Sequence, residues 1–347
     1  MGRRPFRVEV NYPVGRRPQY FLTRDISVGN RRAKVRKYLG TTAPDALEIE
    51  RFRRSYAPEM EYRSALKRAD LLAAQYTCDY LSKSLLLDVE RVKSIYNEVQ
   101  ELLTVNEVEA YESNFEVSYV QGTTAIEGNT LSLREARNLL VDSIPPEGKS
   151  LREINEVQNF RKVAAYRSSY KRKVTLDFIR HIHGLVMDNI DIESAGTFRR
   201  RDDLEIIGAD VEIARAAQIP DALGHAIEDY YSGIDSGKHP FECAAVFHYD
   251  FEIVHPFSDG NGRVGREVFN YMLTRSRYPR LLFLGKERSR YLDCLKAGNE
   301  GNYSKMVAGF ARLIVDQRLA ILAERLKSLA VPRKKVGQTR LSDWITI

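Results

Sequence analysis

The chemistry of this chain is concentrated in one stretch: His255-Pro256-Phe257-Ser258-Asp259-Gly260-Asn261-Gly262-Arg263-Val264-Gly265-Arg266. Gly260-Asn261-Gly262 lets the backbone turn tightly and aim consecutive N–H groups at one point. At a helix N-terminus such donors, backed by the helix dipole, bind phosphate. Arg263 and Arg266 are three apart, so on a helix they share a face and can grip further phosphates with forked guanidinium groups. Asp259 offers a hard oxygen ligand suited to Mg²⁺. His255 is the residue here that exchanges a proton near neutral pH, which suits a general base. Phe257 sits among these polar groups as the anchor that ties the loop to a core. The set reads as a cradle for nucleotide phosphates with a base beside it. A glycine-rich helix cap with two surface arginines would account for Gly260 and Asn261, but not for the other residues at these spacings.

Such a loop needs an element on each side. The apolar run Ala244 to Val254 reads as a helix leading in, and a second helix must begin near Asn261. Further helices are expected at about 151–170, 175–189, 221–232, 239–253, 261–276, 288–298 and 302–329. Ser132 and Glu135 have capping-box spacing, which predicts a helix start there. From about Asp45 to Glu127 the chain holds one proline, Pro58, and one glycine, Gly122. Leu71, Leu72, Tyr76 and Leu81 fit one helical stripe, and Val89, Val92, Ile95 and Val99 another. Upstream, Phe6 to Val10, Tyr20 to Leu22 and Arg31 to Leu39 read as strands punctuated by Gly15, Pro18, Gly29-Asn30 and Gly40. Leu204 to Ile207, followed by Gly208, reads as a short strand or flap.

The chain has 347 residues, 43% hydrophobic and 29% charged, which is the composition of a globular protein and excludes a disordered or coiled-coil rod. No apolar run reaches the roughly 20 residues that span a bilayer. No apolar segment follows the basic start Met1-Gly2-Arg3-Arg4, which argues against a secretory signal. Cys78, Cys243 and Cys294 are scattered, odd in number and form no CxxC, pointing to a reducing, cytoplasmic compartment. The net charge of +7 is uneven. Residues 1–40 hold eleven Lys/Arg against Glu9 and Asp25, and residues 325–340 hold six and no acid, so the body between is acidic. Basic ends attract nucleic acid, an acidic partner or a lipid surface, or are merely solvated; these readings stay open.

The stretch from His255 to Arg266 resembles the signature of the Fic (Fido) family, HxFx(D/E)GNGRxxR, at every specified position. Gly196-Thr197-Phe198-Arg199 with Ile206-Ile207-Gly208 resembles the family's upstream segment and flap. Arg290 to Glu300 resembles its downstream helix. The resemblance implies a mainly α fold, a Fic-type helical bundle with a short β-hairpin flap, here with a small β-rich N-terminal element. It implies a protein adenylyltransferase that moves AMP from ATP to a Ser, Thr or Tyr hydroxyl and releases pyrophosphate. Carried over, His255 would be the base, and Asp259 would hold Mg²⁺. Gly260, Asn261, Gly262 and Arg263 would form the anion hole, and Arg263 and Arg266 would hold the outer phosphates. Tyr291, Leu292 and Asn299 would line the adenine pocket. Ile207, Gly208, Ala209 and Asp210 would cover the nucleotide and dock the target.

Thr123-Thr124-Ala125-Ile126-Glu127-Gly128 matches the family's inhibitory pattern. Thr124 and Glu127 also have capping-box spacing, but Gly128-Asn129 reads as a helix end. Glu127 then lies in a last turn, against the negative end of the dipole, where it needs a cation. The resemblance supplies Arg266, and a Glu127–Arg266 pair would stand where the γ-phosphate belongs. The arrangement implies a brake acting from a preceding helix (class II-like).

The expected organisation is a basic β-rich element at 1–44, a helical region at 45–130 ending in the inhibitory segment, a catalytic core at 131–322 and a basic tail at 323–347. The expected partner is a target protein, with self-modification and a homodimer as further options. Alternatives are removal of AMP, transfer of another nucleotide, or a nucleotide-sensing regulator that binds nucleic acid through the basic N-terminus. His181 and His183 are two apart on a predicted helix and point to different faces, a poor arrangement for a metal.

Overall fold

Alternating apolar and polar residues at the N-terminus produce three strands, β1 (Arg7–Asn11), β2 (Gln19–Val28) and β3 (Arg31–Gly40). They pair antiparallel in the order β1-β2-β3. Val28 faces Arg31 across a two-residue turn whose first member, Gly29, has φ +57°. That positive φ is why a glycine stands there. Leu22, Ile26 and Val35 point to one side of the sheet and are buried with Phe6 and Met60. Each fully buried aliphatic side chain of this kind contributes about 1.5–3 kcal/mol. Within the same core, Glu61 holds the Arg24 guanidinium at 2.5 and 2.9 Å, and the guanidinium lies 3.7 Å over the Phe6 ring.

In this computed structural model, residues 5–202 and 213–331 are described. Their α-helices are α1 (Ala46–Ala73), α2 (Lys83–Leu102), α3 (Val105–Ile126), α4 (Leu133–Arg137), α5 (Leu151–Ser169) and α6 (Leu176–Val186), then α7 (Ile219–Asp235), α8 (Pro240–Val254), α9 (Asn261–Arg275), α10 (Arg288–Asn299) and α11 (Tyr303–Leu329). The fold is mainly α with a small β-rich N-terminal element, as the sequence predicts. The flap expected at Ile207, Gly208, Ala209 and Asp210 lies outside the described residues.

The chain divides into two compact units. One comprises Met1–Tyr76, Lys83–Val108 and Ile314–Ile347; here the sheet packs on α1, and α1 on α2. α1 begins in a complete capping box between Asp45 and Glu48 and runs through Pro58. Val89, Val92, Ile95 and Val99 form the buried stripe of α2, as expected. The other expected stripe breaks: α1 stops at Ala73, and Tyr76 and Leu81 fall in the connection to α2.

The second unit comprises Thr77–Ser82 and Glu109–Leu313. Within it, the Glu242 carboxylate accepts the N–H groups of Asp79, Tyr80 and Leu81. α8 and α9 are buried along most of their length. Gly265 lets them approach closely, since a Cβ there would strike Phe251 and the Glu252 carboxylate. Ser132 caps α4 through the expected box with Glu135. Ser150 and Glu153 form another at α5, which the sequence reading passed over.

Candidate active site

The site is built where α8 hands over to α9. α8 ends at Val254, and its cap, His255, takes a left-handed conformation with φ +46°. A β-branched or bulky residue is strained there, whereas histidine is among the types that tolerate it. The chain turns again at Gly260, φ +79°, and α9 starts at Asn261. The first N–H groups of α9 have no acceptor within the helix, so they form a donor set at its positive end. Phe257 is fully buried and stacks on the His183 ring at 3.7 Å with the planes 3° apart. It anchors the loop, as expected.

Asn261 turns out to be the loop's internal brace. Its Oδ1 accepts from Phe257 N–H at 2.9 Å and its Nδ2 donates to Phe257 C=O at 2.7 Å. The side chain is thereby spent on shaping the turn, so what position 261 offers an anion is its backbone.

His255 Nδ1 lies 3.4 Å from the Glu252 carbonyl. With Nδ1–H directed there, Nε2 carries the free lone pair. Burial, and secondarily the charge of Arg199, push the His255 pKa below the ordinary imidazole value. The ring is therefore neutral, and able to take a proton, at neutral pH.

Two residues the motif does not contain hold this loop. Arg199 is buried and donates to the carbonyls of His255 (2.8 Å), Arg201 (2.8 Å) and Ala214, while its own N–H bonds the Pro256 carbonyl at 2.9 Å. His183 accepts from Gly196 N–H at Nδ1 (2.9 Å), so its Nε2 carries the proton donated to Asp259 C=O at 3.1 Å. Burial lowers the His183 pKa to about 4, which keeps it in this neutral form. The sequence assigns the Gly196–Arg199 segment no role, and it offers His183 only as a poor metal ligand beside His181. His181 instead packs against Tyr166, the ring centroids 4.1 Å apart and the planes tilted by 42°.

The charged groups sort into two pairs. Asp259 accepts from Gly260 N–H at 2.5 Å and from Arg263 at 3.0 Å, and it also pairs with Arg152. Burial would raise its pKa, but Arg263, Gly260 N–H and Arg152 outweigh burial and keep the carboxylate ionised. Arg263 is 2% exposed, and its Nε and Nη1 have no hydrogen-bond partner among the described residues, although Glu156 lies 3.4 Å from Nη1. Buried donors left open in this way call for a ligand.

Arg266 belongs to the second pair. It is 1% exposed, with Nε on Thr123 Oγ1 (2.8 Å) and Nη2 on Thr123 C=O (2.9 Å) and on Glu127 Oε1 (2.7 Å). α3 ends just before Glu127, and Gly128 (φ +100°) and Asn129 close it through N–H bonds to Ala125 and Thr124. Thr124 Oγ1 donates back to Val120 C=O at 2.9 Å, which removes the capping-box alternative. Burial pushes the Glu127 pKa up, but Arg266 overrides it and the net shift is downward. A Cβ on Gly262 would collide with Glu127 Oε1 and stand 2.7 Å from Arg266 Nη1. The Glu127 carboxylate therefore rests on the backbone that opens α9.

The three residues expected along an adenine wall differ in exposure. Tyr291 faces inward, 3% exposed, with its hydroxyl 3.1 Å from His248 Nε2 and its ring 5.5 Å from the Arg266 guanidinium. Its ring packs against the Arg266 guanidinium. Leu292 and Asn299, also on α10, are exposed.

Among the described residues no group of three or more His, Cys, Asp or Glu side chains gathers as a metal site. Mg²⁺ in nucleotide sites is commonly held by one or two carboxylates together with substrate phosphates; Asp259 is an ionised carboxylate beside the cradle. No helix among the described residues is long and apolar enough to cross a membrane.

Residues 173–273 match the Fic/DOC family model. A protein adenylyltransferase Fic from Aedes aegypti is 30% identical over 252 residues, which is 70% of this chain and 47% of that protein. The chain thus spans about half the length of the curated relatives it matches. A Fic-domain protein from Bacteroides thetaiotaomicron superposes with a TM-score of 0.59 at 22% identity, covering 68% of this chain and 98% of that one. Fic-1 from C. elegans superposes with a TM-score of 0.56 at 25% identity, covering 78% and 84%.

Proposed function

From the premise that the chain carries a Fic/DOC-family domain, we propose that it is an adenylyltransferase moving AMP from ATP to a hydroxyl of a target protein, held back by Glu127. The observation that carries this reading is the carboxylate lying on the first turn of α9. An internal anion on a phosphate cradle marks both the cradle and what must leave for it to be used. The curated relatives named as protein adenylyltransferases support the class of reaction.

The open donors of Arg263 and the N–H groups at the start of α9 would bind the phosphates, and Arg266 would exchange Glu127 for the terminal phosphate. Asp259 would hold Mg²⁺, which neutralises phosphate charge when bound. His255 Nε2 would take the proton as a Ser, Thr or Tyr oxygen attacks the α-phosphorus. One P–O bond forms, the bond to the β-phosphate oxygen breaks, and pyrophosphate leaves. Most of the work is positioning and charge stabilisation. Leu292 and Asn299 remain candidates for the adenine side, and the segment at 207–210 for docking the target.

The carboxylate on α9 also suits the reverse use, orienting a water to remove AMP. Both are separated by one experiment with ATP labelled at the α-phosphate, using wild type, Glu127→Gly, and Glu127→Gly with His255→Ala. Label on protein in Glu127→Gly alone supports transfer and the brake. Inert Glu127→Gly that still binds nucleotide overturns transfer. Release of AMP from a modified protein by wild type, lost in Glu127→Gly, would favour removal.

A further inference from the structure

α3 is fastened to α9 at a second place, remote from the nucleotide cradle. Glu112, Glu116, Tyr119 and Thr123 recur on one face of α3, the face that ends at Glu127. Thr123 and Glu127 meet Arg266. Two turns earlier, about 10 Å along the axis, Glu116 Oε2 accepts from Arg167 Nη2 at 2.6 Å. Arg167, on α5, places its other arm, Nη1, 2.6 Å from Glu267 Oε1. Glu267 is fully buried and follows Arg266 directly on α9. Arg280 joins the same Glu116 oxygen at 2.6 Å and reaches Glu112 at 2.9 Å, its guanidinium 4.3 Å over the Phe115 ring.

We propose that Arg167 is a positioning residue that sets the register of α3 on α9 and so holds Glu127 over Gly262; this rests on Glu127 being the brake. When phosphate replaces Glu127, Arg266 keeps its bonds to Thr123 on α3. The Glu116–Arg167–Glu267 bridge adds a tie to the neighbouring α9 residue two turns back, and so sets where the carboxylate returns. The bridge has no spare ligands: Glu116 Oε1 and Glu267 Oε2 lack hydrogen-bond partners among the described residues. The charges are genuine. Burial opposes the ionised forms, but Glu267 and Glu116 hold the Arg167 pKa above its ordinary value, while Arg280 and Arg167 hold Glu116 below its own.

The test uses the whole chain. Removing Arg167 alone strands a buried carboxylate and can unfold the protein, so Arg167→Met is paired with Glu267→Gln, and Arg167→Lys serves as the conservative variant. The first readout is amide hydrogen exchange without nucleotide. Faster exchange confined to the last two turns of α3 supports the proposal; unchanged exchange there, or a uniform rise across the fold, overturns it. The second readout is ATP affinity with and without Glu127→Gly. The paired variant should tighten ATP binding about fivefold or more when Glu127 is present and leave it within about twofold when it is absent. An equal change in both backgrounds means Arg167 is merely structural. If Glu127→Gly itself does not tighten binding, the brake reading fails while the exchange result still judges the positioning role.

Discussion

Glu127 Oε1 lies 2.7 Å from Arg266 Nη2, and a methyl group on Gly262 would strike both side chains. One carboxylate thereby does two things: it neutralises the arginine suited to a terminal phosphate, and it covers the backbone suited to cradle one. The pair joins α3 to α9 across 139 positions of sequence.

Glu127→Gly should tighten ATP binding and raise AMP transfer by about tenfold or more, the range of a coupling energy between competing ligands of one site. Arg266 keeps its bonds to Thr123 in that variant, so the guanidinium stays in place. Glu127 holds its proton less tightly than a free carboxylate, so it is ionised at neutral pH. Titration of Glu127 itself should therefore contribute no pH dependence between about pH 6 and 8, and should release the brake only as pH falls through that lowered value. Calorimetric ATP titrations with and without Glu127→Gly, both in a Glu252→Gln background, check this across pH; a brake that weakens there as pH falls from about 8 to 6 would contradict the ion pair.

Gly262→Ala separates two ways of emptying the cradle. The added Cβ expels Glu127, yet it stands where a phosphate oxygen would approach. The variant should bind ATP no better than wild type, and Glu127→Gly should fail to rescue it. Tight ATP binding by the double variant would show that the nucleotide does not use this backbone.

Arg199→Met tests the support under the base. Arg199 gathers carbonyls from His255, Arg201 and Ala214 and touches none of the groups assigned to the phosphates. Its loss should lower the rate of transfer, in the Glu127→Gly background, by about tenfold to a hundredfold, in line with a small misplacement of a reacting group. ATP affinity should change far less. Equal losses in both would place Arg199 in nucleotide binding instead.

How much of this was readable depended on distance along the chain. His255 to Arg266 declared itself because all its parts lie within one loop and one helical turn. Gly128-Asn129 announced the end of α3 for the same reason, since a left-handed glycine after a helix is a local signal. The roles of His183 and Arg199 were not legible because the partners that tie them to the loop, the Asp259 and His255 carbonyls, lie 76 and 56 positions away. Residue type does not encode such contacts. Tyr291 and Leu292 came from the family resemblance, which does not say which of two adjacent residues faces inward; here Tyr291 is buried and Leu292 exposed. Asn261 has the right composition for an anion hole, but its amide fits both hydrogen-bonding groups of Phe257. Tyr76 and Leu81 fit a helical period by coincidence, across a connection that periodicity alone does not detect.

Glu252 supplies a pH test of the core behind the site. It lies on α8, 3.9 Å from His248, and faces Arg266 on α9, Tyr291 on α10 and Glu127 beyond α3. Its Oε1 is buried without a hydrogen-bond partner. Burial, only partly offset by Arg266, raises its pKa from 4.5 to about 7. A carboxyl whose folded pKa is raised favours the folded state fully below its unfolded value, and that advantage is lost as pH rises through the folded value. Wild type should therefore lose stability relative to Glu252→Gln between about pH 4.5 and 7, by up to about 1.4 kcal/mol per pH unit. Above pH 7 the difference should level off. Denaturant melts of the two proteins at pH 5, 6, 7 and 8 give the answer directly. A stability difference that stays constant over that range would mean that Glu252 is ionised throughout, and that Arg266 is shared by two carboxylates rather than held by Glu127 alone.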